Sequence, residues 1–153
     1  GVLQADPLAR TGLERLLARW AEHPPMQDFV PSRIHGDATT SNFIFPQDGL
    51  PTAIDWERCS LADPAADLGR LLAEISHSIQ ENGGSSMEAE PLLDLTCQTY
   101  RRSHETGSGN EALLHRATFY RAVSTLRIAR NGWISRENRL RLVAQAMGLL
   151  TGL

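Results

Sequence analysis

His35-Gly36-Asp37-Ala38-Thr39-Thr40-Ser41-Asn42, followed by Ile54-Asp55-Trp56, is the stretch on which the reading of this chain turns. It sets three polar groups at spacings suited to metal-assisted phosphoryl transfer. An Asp can accept a hydroxyl proton, and an Asn with a second Asp can hold Mg²⁺ on the phosphates of a nucleotide. Gly36 lets the backbone turn without a Cβ clash. Asp37 falls in a polar loop, a common seat for reactive groups on a rigid scaffold.

The segment between the two halves reads as a hairpin. Phe43-Ile44-Phe45 and Thr52-Ala53-Ile54 are short apolar runs separated by Pro46-Gln47-Asp48-Gly49-Leu50-Pro51. Asp-Gly is a strong signal for a two-residue turn, because both central positions of a type I′ turn need positive φ. A turn at Asp48-Gly49 makes paired residue numbers sum to 97. Asn42 and Asp55 then face each other, roughly 4.5–5.5 Å apart. Two ligands of one hard cation can share that spacing. The two prolines cannot donate ladder hydrogen bonds, so the turn end is expected to splay.

Further on, Asp63-Pro64-Ala65-Ala66-Asp67-Leu68 completes a pattern. His-Gly-Asp, four residues, Asn, a hairpin ending in Ile-Asp-Trp, then Asp-Pro, two residues and Asp: in this order the chain resembles the aminoglycoside phosphotransferase and choline kinase-like family, whose fold is similar to that of protein kinases. The match covers about residues 33–75, and its four elements in sequence are far more specific than any one of them. The resemblance implies an α+β, mainly α-helical fold: a protein-kinase-like C-terminal lobe with a small catalytic-loop β-hairpin. It implies that Asp37 is the catalytic base, and that Asn42 and Asp55 bind Mg²⁺ and, through it, ATP or another nucleoside triphosphate. It also implies that His35 braces the catalytic loop and that Asp67 ties down the loop backbone. The implied activity is transfer of a phosphoryl group to a hydroxyl of a small molecule, an aminoglycoside or a metabolite.

The chain has fifteen basic residues, and all are arginine. Kinases of this fold hold the α- and β-phosphates with a lysine on a strand of an N-terminal lobe, beneath a phosphate-covering loop. About thirty residues precede the catalytic loop, and they read as a helix. The expectation is therefore a single domain, residues 1–153, that supplies the catalytic loop and acceptor site. Its N-terminal nucleotide-binding lobe is absent or provided by a partner chain, and the piece alone is inactive. The competing expectation is a non-catalytic remnant that binds a partner or a metabolite. Intact Asp37, Asn42 and Asp55 speak against degeneration.

Composition fits one domain with a sizeable core: 153 residues, 41% apolar and 22% charged. A net charge of −3 gives no reason to expect nucleic acid as a partner. No apolar run approaches the ~18 residues of a membrane span, so no membrane is expected. Cys59 and Cys97 have neither a paired framework nor metal spacing, which makes a reducing cytoplasm the expected location.

Helices are expected around this core. Asp6-Pro7 opens one as a cap followed by proline, and Pro24-Pro25 closes it. Ser32-Arg33-Ile34 is a short extended piece. Asp63-Pro64 repeats the cap signature before a stripe of Leu68, Leu71, Leu72, Ile75 and Ile79. A third helix is expected from Leu92 to about His104, a fourth from about Glu111 to Arg130 after a Gly/Ser loop at 106–110, and a fifth from a cap at Ser135 to about Leu150. Apolar surface near Phe43, Phe45 and Trp20 is expected to be open for a facing lobe.

Several residues have plainer readings. Asp67, in a helix's first turn, gains from the dipole whether or not it anchors a loop. Trp56 reads as packing, and His77, His104 and His115 as surface or core residues. Arg121, Arg127 and Arg130 read as a solvated helix face. From Leu61 onward the chain carries ten acidic and ten basic residues. That balance favours a neutral hydroxylated metabolite over a polycation as acceptor.

Overall fold

A proline cannot donate to the helical ladder, and the first helix stops where two of them stand in sequence. In the computed structural model, which describes residues 7–103 and 109–152, α1 runs Pro7–Glu22 and gives way to a single 3₁₀ turn, Pro24–Met26. The expected cap at Asp6, the end of the third helix at His104 and the loop at 106–108 lie outside the described residues.

Four short strands follow: β1 (Ser32–Ile34), β2 (Phe43–Ile44), β3 (Thr52–Ala53) and β4 (Ser60–Ala62). β1 pairs with β4 in an antiparallel ladder, Arg33 facing Leu61, and so closes the base of the segment between them. β2 and β3 form the hairpin, but one residue out of the expected register. Phe43 faces Ala53 and Ile44 faces Thr52, so paired numbers sum to 96. Pro46 and Pro51 keep the ladder from reaching Asp48-Gly49, and residues 45–51 close as an odd seven-residue loop. Asn42 therefore stands against Ile54, whose N–H it accepts at 3.0 Å, and not against Asp55.

α2 (Ala65–Glu81) is capped by Asp63, whose Oδ1 accepts the Ala65 N–H at 3.0 Å. The expected stripe is too narrow for this helix. Leu68 and Leu72 are buried, but so are Gly69, Arg70, Ala73, Ser76 and Gln80. α3 (Ser86–Ser103) packs against α2, and α4 (Gly109–Ala129) packs between α2 and α5 (Arg136–Leu150). A Cβ on Gly69 would come within about 2.5 Å of the Ala117 carbonyl oxygen and the Tyr120 Cβ, so only glycine allows α2 and α4 to approach this closely.

α3 begins six residues before the expected Leu92. Ser85 Oγ accepts the Glu88 N–H at 3.2 Å, and Glu88 Oε2 accepts the Ser85 N–H at 2.6 Å, a reciprocal capping box. Pro91 sits inside the helix without ending it. Ser135 caps α5 as expected, its Oγ accepting from Asn138 N at 3.2 Å.

The core is built of three neighbouring clusters. Leu68, Leu72, Leu93 and Ala117 join α2, α3 and α4, while Ala73, Ile128, Ile134 and Leu142 extend it to α5. Trp20 joins α1 to α4 and α5 through Ala122, Ala146 and Leu150. It is only 1% exposed, and its Nε1–H donates to the Leu150 carbonyl at 2.9 Å, so no open seam surrounds it. The expected exposed apolar surface at the hairpin is present at Phe45 (72%) and continues to Leu50 (86%), while Phe43 is half-buried. Among the described residues no helix is long and apolar enough to cross a membrane.

A buried ion pair locks the approach to β1. Arg116 Nε of α4 donates to Asp63 Oδ2 at 2.8 Å, and its NH1 donates to the carbonyls of Pro25 and Asp28 at 3.1 and 2.8 Å. The guanidinium also lies over the Phe29 ring at 5.5 Å.

Candidate active site

The loop that carries Asp37 is built on Asp67. One carboxylate oxygen accepts the His35 N–H at 2.6 Å and the other accepts the Gly36 N–H at 2.9 Å. Its place in the first turn of α2 is the dipole position, and the same side chain anchors the loop. Gly36 has φ +78, and a Cβ there would collide with the Arg58 carbonyl oxygen. Glycine is therefore required on two counts.

His35 braces the next layer. Its Nε2 lies 2.7 Å from the Ile54 carbonyl oxygen, and its Nδ1 accepts the Asp37 N–H at 3.3 Å. The two contacts are jointly satisfied when the ring proton sits on Nε2, a tautomer assigned from the network. Trp56 packs on the ring, centroids 4.6 Å apart, and donates its own Nε1–H to the Ala53 carbonyl. His35 is thus buried between the loop and the strand that leads to Asp55, with no face toward the cavity beyond.

Asp55 compensates for the shifted register. Among the described residues it is the one non-glycine with positive φ, at φ 63 and ψ 55. A left-handed residue without a glycine's freedom costs about 1–3 kcal/mol and persists where its surroundings demand it. A one-residue slip would turn a side chain to the other face of a regular hairpin. The left-handed turn at the end of the strand brings Asp55 back, and Asp37, Asn42 and Asp55 all line one cavity of about 510 Å³.

Asn42 donates Nδ2–H to the Asp37 carbonyl at 2.9 Å, so its amide oxygen is the atom left for a ligand. Asp55 adds hard carboxylate oxygens. Among the described residues no group of three or more His, Cys, Asp or Glu is arranged to hold a metal. Two protein oxygens suit Mg²⁺ all the same, since this ion keeps several waters and takes phosphate oxygens when carried on a nucleotide.

Asp37 is flanked by three guanidiniums. Arg70 of α2, itself buried, pairs with Oδ1; Arg58 NH1 lies 3.7 Å from Oδ2 and Arg127 NH2 3.9 Å from Oδ1. Sequence reasoning passed over Arg70, although it follows Asp67 by three positions and so shares its helix face. Arg127, half-exposed on its helix face, also reaches this cluster.

The far wall of the cavity carries residues that motif reading assigned elsewhere. His77, read as a surface or core residue, lines it beside Glu74. Glu74 has its pKa raised, first by burial and in part by the charge of Asp37, against a lowering influence from His77. Asn131 and Trp133 enter from the turn between α4 and α5.

Against known proteins, a family model described as a phosphotransferase enzyme family matches residues 2–105, a span that takes in the catalytic loop, the hairpin and α2. No curated protein and no solved structure matches the chain.

Proposed function

The chain belongs to the phosphotransferase enzyme family, and from that premise we propose that Asp37, Asn42 and Asp55 are the centre that moves a phosphoryl group from ATP, or another nucleoside triphosphate, to a hydroxyl of a small molecule with Mg²⁺. The convergence of these three side chains on one cavity carries the reading. It is reached through a strained residue, and strain of that kind gathers at working sites.

Asp37 receives the acceptor. Arg70 holds Oδ1, so the carboxylate meets an incoming hydroxyl through Oδ2, orients it and takes its proton as the bond to phosphorus forms. Asn42 and Asp55 present hard oxygens beside it. A Mg²⁺ ion held by these two residues would supply charge neutralisation for the phosphoryl group in transfer. Asp67 and His35 touch no reactant. They fix the loop from behind, which keeps Asp37 within the narrow range of positions that in-line transfer demands.

A second reading has one observation in its favour. The guanidiniums around Asp37 also suit a non-catalytic domain in which that carboxylate is only a structural anion. A three-variant comparison separates the two. Asp37→Asn should keep the fold and depress kcat by about 10²–10⁴-fold. Asp55→Asn should weaken Mg²⁺–nucleotide binding along with turnover. Asp67→Ala should act through melting temperature and loop order. Wild-type turnover in Asp37→Asn would sink the catalytic assignment.

A further inference from the structure

The cavity wall facing the catalytic loop has no part in the chemistry assigned to Asp37, Asn42 and Asp55. Its outermost residue is Trp133, 78% exposed although it bounds a cavity. An indole left in water at a rim gains when an apolar surface covers it. The turn that carries it is held in place. Arg139 of α5 donates Nε–H to the Ala129 carbonyl at 2.9 Å and NH2 to the carbonyls of Asn131 and Ile134, each at 3.1 Å. Ile134, next to Trp133, is buried in the α4–α5 core. The ring therefore stands on a pinned turn, already ordered before anything binds.

Charge around the cavity decides what that surface faces. Asp37 is paired with Arg70 and has Arg58 and Arg127 within 4 Å, and Asp55 is the carboxylate that the proposed function assigns to the metal. Glu74 is the carboxylate that remains, and burial opposes its ionisation. A polycationic acceptor would find Glu74 as the one remaining carboxylate of the lining, its ionisation opposed by burial. An anionic acceptor would meet Asp55 and would find the three guanidiniums already engaged with Asp37. Hydroxyl groups suit the wall better. Glu74, His77 and Asn131 each offer hydrogen bonds, and His77 Nδ1 is buried with no partner among the described residues.

We propose that this wall selects a neutral, polyhydroxylated ring, whose C–H face lies on Trp133 while its hydroxyls meet Glu74, His77 and Asn131, leaving one hydroxyl directed at Asp37. The proposal rests on the phosphotransferase reading of the same site and adds to it the class of acceptor and the residues that choose it.

The test is binding, not turnover. Saturation-transfer NMR and Trp fluorescence titration compare myo-inositol and D-glucose, as neutral probes, with D-glucosamine, as the cationic one. The neutral rings should bind more tightly than glucosamine. Trp133→Ala should weaken them roughly tenfold and Trp133→Phe should recover part of the loss, with circular dichroism unchanged because the ring is exposed. Failure of the neutral rings to bind, unchanged affinity in Trp133→Ala, or tighter glucosamine binding that Glu74→Gln abolishes would each overturn the proposal. Asp55→Asn supplies the separation: it should leave ring affinity alone while reducing Mg²⁺–nucleotide affinity. Loss of the ring result alone rejects the acceptor class, and loss of the nucleotide result alone rejects the phosphotransferase reading.

Discussion

Replacing Arg116 by methionine removes a charge that four other groups depend on. Asp63 and Arg116 are 2% and 4% exposed, so neither can turn to water when its partner is lost. The change deletes the 2.8 Å bond to Asp63, both bonds to the carbonyls of Pro25 and Asp28, and the contact with Phe29. Asp63 keeps the Ala65 N–H as a partner, which softens but does not remove the burden of a buried, uncompensated carboxylate. Breaking one side of a buried pair costs about 3–5 kcal/mol. At roughly 2–4 °C per kcal/mol for a domain of this size, the melting temperature should fall by about 6–20 °C. Urea unfolding at pH 7, followed by far-UV circular dichroism, reads the free energy. Asp63→Asn and the double variant complete a cycle, in which the double variant should cost clearly less than the sum of the singles. A loss below about 1 kcal/mol for Arg116→Met, or strict additivity, would show that the pair is not the lock on the segment leading to β1.

Other perturbations have definite signs. Asp55→Gly should raise stability modestly, by about 0.5–1 kcal/mol, because glycine adopts the left-handed conformation freely; it should at the same time lower Mg²⁺–nucleotide affinity, and a destabilised variant would mean that Asp55 is not strained. Gly36→Ala should cost several kcal/mol on the order of an overpacked core site, since its Cβ meets the Arg58 backbone; a neutral result in thermal melts contradicts the tight turn. His115 lies against Trp20 and His23, ring centroids 4.8 and 4.7 Å apart, and burial, then the nearby His23, hold its pKa below the ordinary 6.5. The unfolded chain therefore takes the proton first, so stability should be fully present above pH 6.5 and decline as pH falls below it. His115→Gln should flatten that decline, and an unchanged slope in the variant would refute the assignment.

The sequence carried the helical frame and the loop anchors because those depend on local chemistry. The caps at Asp63 and Ser135, the stop at Pro24-Pro25 and the extended Ser32–Ile34 are short-range signals, and each stands where the residues put it. The hairpin register departs from the one Asp48-Gly49 implies because the flanking prolines shorten the ladder and leave an odd loop. The early start of α3 had a legible signal in the Ser85–Glu88 capping box, which the presence of Pro91 obscured. Arg70, Arg127, Glu74, His77 and Trp133 were beyond sequence reading as site residues, with the partial exception of Arg70. They reach the cavity through the packing of α2, α4 and the α4–α5 turn, and tertiary packing leaves no motif behind.

The proposed site has Asn42 and Asp55 holding the metal of a nucleotide beside Asp37. Water-proton relaxation of Mn²⁺, titrated with the protein and a non-hydrolysable nucleoside triphosphate, measures this without knowledge of the acceptor. The account predicts enhancement that requires the nucleotide, an affinity lowered at least about tenfold, or ~1.4 kcal/mol, by Asp55→Asn, and an affinity nearly unchanged by Asp37→Asn. Equal metal–nucleotide affinity in wild type and Asp55→Asn would contradict it.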